Sequence, residues 1–428
     1  MPPETSVIPL PSGRGRDAIP YLESVGLVDR IPVIRTSDYE ALLSNPFHYY
    51  LCRRLGLLKR LSWSKALSRG SWVHKAFETD DFEQVVPQTV GYWAAWDQRL
   101  AELRASCNEM GIIGASQESI VLREEKDMKC SLAWYTAAAQ VHLGDKYGTF
   151  RQFLRSTYWQ ILGREVRVTY NDPSFPKTPL VTVLDGLAYH KLHKTVWVIE
   201  LKTCDEAPIV RAATNELEFQ TQHITHIVSN LLRRELIQEK FLLPPETRFG
   251  GVMHIIIQKP TIELSSLDRD CRIEDFTPTR GPNKGVTRQE KIYFGEPRLE
   301  NYISRCRNWY MGEEDYSHLA EQRKKKEVGP PVNISFSTDV LEEEGMTEYT
   351  NRLRLIYDYA TRSAYPAAFV RSASSLRQFG SLHPLAPFSL TPVVDWPEVM
   401  AKEGFMISHR DQEGTFHDGF DAPHPLSE

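Results

Sequence analysis

The sequence predicts an α/β protein in which helices flank a small antiparallel sheet. Three β-branched, alternating segments at 161–170, 179–189 and 194–203 are separated by turn-forming stretches, which is typical of an antiparallel meander. A long helical segment at 215–240 follows, and a fourth, apolar strand is expected at 251–258. The predicted core therefore has the order helix, three-stranded meander, helix, strand.

Helical periodicity also precedes the meander. Segments 47–60 and 69–79 predict two helices, the first with an aromatic face and a basic end. Charged periodic segments predict a helical N-terminal insertion at about 80–150. We expect residues 1–30, which are rich in Pro, Gly and small polar residues, to form a flexible N-terminal arm.

The division of the chain follows from these elements. A chain of 428 residues is expected to form two or three structural units. We assign residues 31–260 to the core, and we assign 261–390 to a C-terminal helical extension that packs on it. Residues 391–428 are rich in Pro and polar residues and are expected to form a tail.

The composition is that of an ordinary folded protein. Apolar residues make up 41% and the net charge is −5, so any nucleic-acid binding needs a local basic surface. None of the six cysteines forms a CxxC pair, which argues against a zinc clamp or a disulfide framework. No apolar run has the ~20 residues of a membrane helix, and no secretory signal is visible. We therefore expect no membrane partner and a cytoplasmic location.

Two strand carboxylates indicate where the chemistry lies. Period-2 geometry puts Glu200 and Lys202 at the end of an apolar strand face, and Asp185 holds the matching place on the preceding strand. If these strands pair, the two carboxylates meet at one end of the sheet, where their repulsion favours a hard cation such as Mg²⁺ or Mn²⁺. The alternative is that Glu200 and Lys202 form a salt bridge and that Asp185 is a turn residue.

Three short motifs occur in a fixed order along the chain: Gly70-Ser-Trp-Val-His74, Leu184-Asp185-Gly186 and Glu200-Leu-Lys202-Thr. Together they resemble the PD-(D/E)-X-K nuclease superfamily, and within it the RecB-type exonucleases, including phage members. The resemblance covers roughly residues 36–390. It implies a restriction-endonuclease-like α/β core with a helical N-terminal insertion and a C-terminal helical extension.

The resemblance also implies the roles of individual residues. His74, Asp185, Glu200 and the Leu201 carbonyl would hold one or two Mg²⁺ or Mn²⁺ ions. Lys202 would position the attacking water and stabilise the charge that develops on the phosphate. The positions match the three motifs residue by residue.

A glutamine on the next helix and an acid on the first strand belong to the same pattern. Gln222-His-Ile-Thr-His226 has His where the family has Tyr, and Gln222 would steady the water or the substrate. Gln220-x-x-x-Ile224 is the competing register. Glu165 matches an acidic position of related enzymes that helps to hold metal or water. Its alternative is a solvent-facing side chain paired with a neighbouring arginine.

His74 has its own alternative. A lone helical histidine at the edge of a core is commonly satisfied by a backbone carbonyl. The other motifs favour a ligand, because a neutral imidazole binds metal ions. Gly70, one turn earlier, would let the helix approach the site or the substrate closely.

A basic stretch just before His74 predicts a surface for DNA phosphates and unstacked bases. The alternative is an ordinary solvated helix face. The basic residues are Arg53, Arg54, Lys59, Arg60, Lys65 and Arg69, and the interleaved aromatic residues are Tyr49, Tyr50 and Trp63.

The sequence departs from the family at its iron–sulfur cluster, which many RecB-type exonucleases hold with four cysteines. Leu376, His383 and Ser389 stand at three of the expected places, and the fourth falls near Asn45-Pro46. Leucine cannot ligate iron, and cluster ligands are overwhelmingly thiolates. We therefore expect no iron–sulfur cluster.

These observations predict a Mg²⁺- or Mn²⁺-dependent deoxyribonuclease, in particular an exonuclease of recombination or repair. Its expected partners are DNA and a separate helicase or recombination protein, since the chain has no GxxxxGK[ST] motif of its own. The alternative function is a catalytically faded nucleic-acid-binding or helicase-partner protein on the same fold.

Overall fold

A seven-stranded mixed sheet runs through the computed structural model of the protein. The structure describes residues 13–61, 65–82, 90–145, 147–215, 218–277, 287–326, 329–338, 343–362, 365–366, 369, 377–378, 381–408 and 418–420. The strands are β1 (Ile34–Arg35), β2 (Leu57–Lys59), β3 (Trp159–Tyr170), β4 (Leu180–His190), β5 (Thr195–Cys204), β6 (Arg248–Gln258), β7 (Asp270–Phe276), β8 (Arg288–Phe294), β9 (Val332–Ser337), β10 (Arg377–Gln378), β11 (Ser381–Leu382), β12 (Phe405–Ile407) and β13 (Gly419–Phe420).

Helices surround the sheet. Those of the described residues are α1 (Ala18–Ser24), α2 (Asp38–Ser44), α3 (Pro46–Tyr49), α4 (Lys65–Thr79), α5 (Val90–Glu109), α6 (Ala115–Ala138), α7 (Phe150–Leu154), α8 (Pro208–Ala212), α9 (Phe219–Arg233), α10 (Leu236–Phe241), α11 (Leu299–Met311), α12 (Ser317–Lys325), α13 (Glu343–Thr361), α14 (Ala386–Leu390) and α15 (Trp396–Glu403). A π-helical turn, Tyr50–Arg54, continues α3.

The sheet has the strand order β13-β3-β4-β5-β6-β9, with β1 beside β4. Strands β3, β4 and β5 are antiparallel neighbours, β6 is parallel to β5, and β9 is antiparallel to β6. A parallel neighbour needs a crossover connection, and α8, α9 and α10 provide it. The mixed α/β prediction is confirmed, and the meander is followed by a helix and a strand.

Each face of the sheet carries its own hydrophobic core. In β5, Val196 and Val198 belong to the core that includes α9, whereas Ile199 and Leu201 belong to the core that includes α4, α6 and α11. Because both faces are covered, the strand is apolar almost throughout. Glu200 interrupts it while being only 2% exposed. A buried carboxylate is costly unless it is bound or protonated, so Glu200 needs a compensating partner or a proton.

The N-terminal arm predicted over residues 1–30 is not flexible where the structure describes it. Helix α1 forms within it, and Ala18, Leu22 and Leu27 are almost completely buried in the core. The Pro- and Gly-rich composition hid a short stretch of apolar residues that packs against distant parts of the chain.

An arginine in this arm ties the two ends of the chain together. Arg14 donates to the carbonyl oxygens of Phe388 and Ser389, each at 3.1 Å. Its guanidinium carbon lies 5.5 Å from the ring centroid of Phe47 and 5.9 Å from that of Trp396. Cation–π contacts of this kind are attractive. The contacts of Arg14 with Phe47, Phe388, Ser389 and Trp396, which we call the Arg14 clasp, therefore fix the arm on the core.

The predicted tail at 391–428 is also corrected for the residues that the structure describes. Trp396, at the start of α15, is fully buried. Strand β12 pairs with β2, and β13 pairs with the outer edge of β3. These pairings join residues several hundred positions apart, so no local pattern announces them.

The region 261–390, predicted to be a helical extension, contains strands as well. Strand β9 joins the central sheet, and β7 and β8 form a separate hairpin. Helices α5 and α6 occupy the predicted insertion at about 80–150. Among the described residues, no helix combines the length and the apolar character needed to cross a membrane.

Candidate metal centre

Three side chains of types that can bind a metal ion come from three different elements and meet at one point. His74 comes from α4, Glu165 from β3 and Asp185 from β4, and one ligand atom of each lies within 4.8 Å of the other two. We call these residues the triad. The two carboxylates offer the oxygen donors that suit Mg²⁺ or Mn²⁺, and the imidazole adds a nitrogen donor of the kind that transition metals accept.

Asp185 is held rigidly at the centre of the triad. The β4–β5 ladder ends at the pair Gly186–Ile199, one residue before Asp185 and Glu200. Beyond that point Asp185 Oδ2 accepts the backbone N–H of Leu201 at 2.7 Å, and its Oδ1 lies 2.8 Å from His74 Nδ1. A carboxylate that binds both a histidine and a backbone amide has a fixed orientation, as metal ligands require.

Glu165 sits at a break in its strand. The pairs Arg164–Gly186 and Val166–Leu184 flank it, so that Glu165 lies opposite Asp185. Its φ is +48°, a left-handed conformation that costs a non-glycine residue roughly 1–2 kcal/mol. Strain of this kind clusters at functional sites. The structure thus brings Glu165 to the triad and not to an arginine on the solvent face.

His74 is half-buried and lies against the two acids from the opposite side. A Cβ added at Gly70 would meet only Thr203 Oγ1, at an ordinary 3.6 Å. The expectation that glycine is needed here for close approach is therefore not supported within the protein itself. Burial opposes protonation of His74, but the charges of Asp185 and Glu200 outweigh it and raise its pKa.

A second group lies beside the triad and consists of Glu200, Lys202 and Gln220, which we call the Glu200 cluster. Gln220 Nε2 donates to Glu200 Oε2 at 2.8 Å, and Lys202 Nζ donates to Gln220 Oε1. Lys202 Nζ also lies 3.4 Å from Glu200 Oε2. The other oxygen, Glu200 Oε1, is buried and has no hydrogen-bond partner among the described residues. Glu200 lies outside the 4.8 Å group, but its orphaned carboxylate oxygen is on the strand whose Leu201 N–H binds Asp185, which places an unsatisfied buried acceptor close to the triad.

Of the two glutamine registers left open by the sequence, the structure places Gln220, and not Gln222, beside Glu200. Residues two apart on a helix point about 200° away from each other, so only one of the two can reach β5. Gln222 is buried on the other side of α9, where its Oε1 accepts from Arg352 at 3.3 Å. His226 follows on that same side and its Nε2 lies 2.7 Å from Asp172 Oδ2.

A pattern in the sequence distinguishes Gln220 from Gln222. Gln220, Ile224, Ile227 and Leu231 recur at helical spacing, and the three apolar members belong to the core against the sheet. Gln220 therefore continues the stripe that faces β5. The Leu201 carbonyl remains a predicted ligand, since the contact that the structure shows is made by its N–H.

The acids of the site hold their protons unusually tightly. Burial, with the charge of Asp185, raises the pKa of Glu200 to about 8. Glu165 still reaches solvent, but partial loss of its hydration, followed by the charges of Asp185 and Glu78, raises its pKa to about 7. Acids that repel one another in this way favour a bound cation, because it stabilises their ionised forms.

We expect the metal-free protein to lose stability as the pH rises from about 5 to about 8. The pKa of Glu200 is about 8 in the folded chain against an ordinary 4.5, so the folded state binds more protons in this range. Thermal unfolding in EDTA should show a falling melting temperature, and Glu200→Gln should flatten the slope. Glu246→Gln, at an exposed carboxylate, should not. An unchanged slope in Glu200→Gln would contradict the raised pKa.

A cleft of about 610 Å³ opens over the triad. Lys75 and Lys259 line it together with Ser71 and Thr203. Lys75 pairs with Glu78 on α4, and Lys259 Nζ lies 3.5 Å from Asp205. The cleft thus offers two ammonium groups and two hydroxyl groups next to the acids, which is a chemistry that suits a phosphate group.

The predicted basic patch is not a free surface. Tyr49 and Tyr50 are each 1% exposed, and Arg54 and Arg69 are almost as deeply buried. The described basic groups are paired as Arg53–Asp38, Arg54–Asp29, Lys59–Glu403, Arg60–Glu109 and Arg69 with Asp127 and Glu263. Trp63 and the Lys65 side chain lie outside the described residues. Burial removes Tyr49, Tyr50, Arg54 and Arg69 from the predicted patch, whereas Arg53, Lys59 and Arg60 stay partly exposed but are paired with acids.

The segments compared with the iron–sulfur region do come together. Asn45 caps α3 by accepting from the N–H groups of Phe47 and His48. The His48 ring stacks on that of His383 with centroids 4.2 Å apart, and Ser389 is buried in α14. Leu376 lies outside the described residues. Stacked neutral rings and the Arg14 clasp now join these segments.

One further residue was missed by the sequence analysis. His254 lies at the centre of β6, where it is fully buried beside Glu200. Burial, together with the charges of Lys202 and Arg211, lowers its pKa to about 3. The apolar run around His254 predicted a strand. The single histidine within that run could have indicated a buried polar group in the sheet.

No family model and no curated protein matches the chain. Its function must therefore be inferred from the geometry of the triad and the Glu200 cluster.

Proposed function

We propose that the protein is a metal-dependent nuclease that hydrolyses phosphodiester bonds of DNA and takes Mg²⁺ or Mn²⁺. The closeness of the Glu200 cluster to the triad carries the proposal, since the charges of Asp185 and His74 act on Glu200, while the triad itself lines the cleft. An ammonium group held beside buried acids at the end of a sheet is what hydrolysis of a charged phosphodiester needs. We further propose that the meander, α9 and β6 form a restriction-endonuclease-like core.

The side chains have distinct roles in this proposal. His74, Glu165, Asp185 and Glu200 Oε1 would hold the cation. When bound, the cation lowers the pKa of a water molecule and neutralises phosphate charge. Lys202 holds its ammonium at the edge of this group, where it can orient the attacking water and stabilise the developing negative charge.

Gln220 fixes the geometry of the other two members of its cluster. Its amide donates to Glu200 and accepts from Lys202, so it sets the separation between a carboxylate and an ammonium. The resemblance to RecB-type enzymes supports exonuclease action in recombination or repair, with a helicase or recombination protein as a separate partner. The two lysine ammonium groups that line the cleft, each of which also pairs with an acid, support a nucleic-acid substrate.

We expect cleavage of labelled single- or double-stranded DNA in Mn²⁺ or Mg²⁺, and none in EDTA. Asp185→Ala should lower the cleavage rate by at least ~100-fold, since it removes a charge that the transition state needs. Calorimetric titration should show weakened Mn²⁺ binding in both Asp185→Ala and Glu200→Ala. Glu246→Ala, at an exposed carboxylate paired with Lys194, serves as the control.

Two outcomes would overturn the proposal in different ways. Undiminished Mn²⁺ affinity in both variants would remove the metal site. Tight DNA binding and Mn²⁺ binding with no cleavage by the wild-type protein would instead favour the catalytically faded alternative.

A further inference from the structure

His254 is the least explained polar residue of the sheet. It is 0% exposed, and neither ring nitrogen has a hydrogen-bond partner among the described residues. Buried polar groups are nearly always paired, because an unpaired one costs about 1–3 kcal/mol. A histidine with two unpartnered ring nitrogens in the middle of an apolar strand therefore needs a structural or functional explanation.

The residues beside His254 on both adjacent strands also have polar atoms without a hydrogen-bond partner among the described residues. In the β5–β6 register His254 lies beside Glu200, and in the β6–β9 register it lies beside Ser335. Residues in register on adjacent strands share a face of the sheet. Glu200 Oε1 and the Ser335 hydroxyl oxygen are both buried and without a partner among the described residues. A carboxylate, an imidazole and a hydroxyl thus stand in one row.

The hydrogen-bonding capacities of this row match. A neutral imidazole has one N–H donor and one acceptor nitrogen. The N–H suits Glu200 Oε1, which can only accept, and the acceptor nitrogen suits the Ser335 hydroxyl, which can donate. A carboxylate oxygen has two lone pairs, so Oε1 can accept from His254 and still face a cation.

We propose that His254 is a positioning residue for Glu200: with a cation bound, its ring N–H would donate to Glu200 Oε1 and the Ser335 hydroxyl would set its tautomer, two contacts that the unpartnered atoms do not make in this structure. This inference rests on the proposed metal site. The complete burial of the ring rules out contact with substrate, so His254 acts only through Glu200. Groups that hydrogen-bond metal ligands from behind typically contribute a factor of 10–100 in metal affinity.

The test is calorimetric titration of the full chain with Mn²⁺. His254→Leu should weaken Mn²⁺ binding by about 10–100-fold. His254→Asn and His254→Gln each keep an N–H, near the position of one or the other ring nitrogen, and one of them should recover most of the affinity. His223→Leu is the matched control. His223 is also fully buried with one open ring nitrogen, but it contacts Tyr349 on α13.

The outcomes separate this inference from the proposed function. If the wild type binds Mn²⁺ and His254→Leu binds it equally well, the inference fails and the metal site stands. If Leu, Asn and Gln all weaken binding alike, the ring acts by packing, and the inference also fails. If His254→Leu does not fold, the Asn and Gln variants alone decide. A wild type that binds no Mn²⁺ overturns the metal site and this inference with it.

Discussion

Replacing Lys202 with methionine should slow single-turnover DNA cleavage by a factor on the order of 100 or more while Mn²⁺ binding stays at least as tight. Lys202 holds its ammonium 3.4 Å from Glu200 Oε2 and is tied to Gln220, so its position is fixed before substrate arrives. Its charge matters most where the phosphate charge changes, which is in the transition state. The Lys202 ammonium repels a bound metal ion, so removing that charge does not weaken the electrostatic binding of Mn²⁺.

Lys194→Met provides the control, since Lys194 pairs with Glu246 at the exposed start of the same hairpin strand. Melting temperatures should be recorded for both variants alongside the cleavage rates. If Lys202→Met melts early but each folded molecule cleaves at the wild-type rate, then the lysine is only a salt-bridge partner.

The second large effect is expected at Arg69. Its guanidinium binds Asp127 at 2.6 Å and Glu263 at 2.7 Å, and the side chains of Arg69 and Asp127 are 5% and 3% exposed. Arg69→Ala would remove the ion pair that compensates the burial of the Asp127 carboxylate. Breaking a buried pair in this way typically costs 3–5 kcal/mol, and we expect a loss of about that size in the free energy of unfolding.

Arg60→Ala is the matched variant, because the Arg60–Glu109 pair is exposed and such pairs contribute about 0–1 kcal/mol. Urea unfolding of the two variants measures the difference. If Arg69→Ala is as stable as Arg60→Ala but binds DNA more weakly, then Arg69 belongs to a DNA surface after all. The structure favours stability, since Arg69 joins α4, which carries His74, to α6.

Local patterns in the sequence were sufficient to predict the strands of the site. Glu200 stands out because it interrupts an apolar strand, and Asp185 has the matching phase on its neighbour. Gln220 was harder, since α9 carries two glutamines two residues apart and only its apolar stripe distinguishes them. Glu165 was left undecided because its left-handed backbone depends on β4, which a single strand pattern does not show.

The errors concern contacts between distant parts of the chain. Arg53 and Arg69 were expected to face DNA, but their charges are neutralised by Asp38 and Asp127. Composition alone also suggested loose ends, whereas Trp396 is fully buried. Such partners are selected by the folded topology, and short-range periodicity carries no information about them.

The pairing of β12 with β2 has a consequence for biosynthesis. Ile407 pairs with Leu57, so β2 is synthesised some 350 residues before its partner strand β12. At roughly 5–20 residues per second, that interval lasts tens of seconds on the ribosome. During this time β2 lacks its ladder partner, so backbone N–H and C=O groups on that edge stay unpaired, and an unpaired edge can pair with other chains.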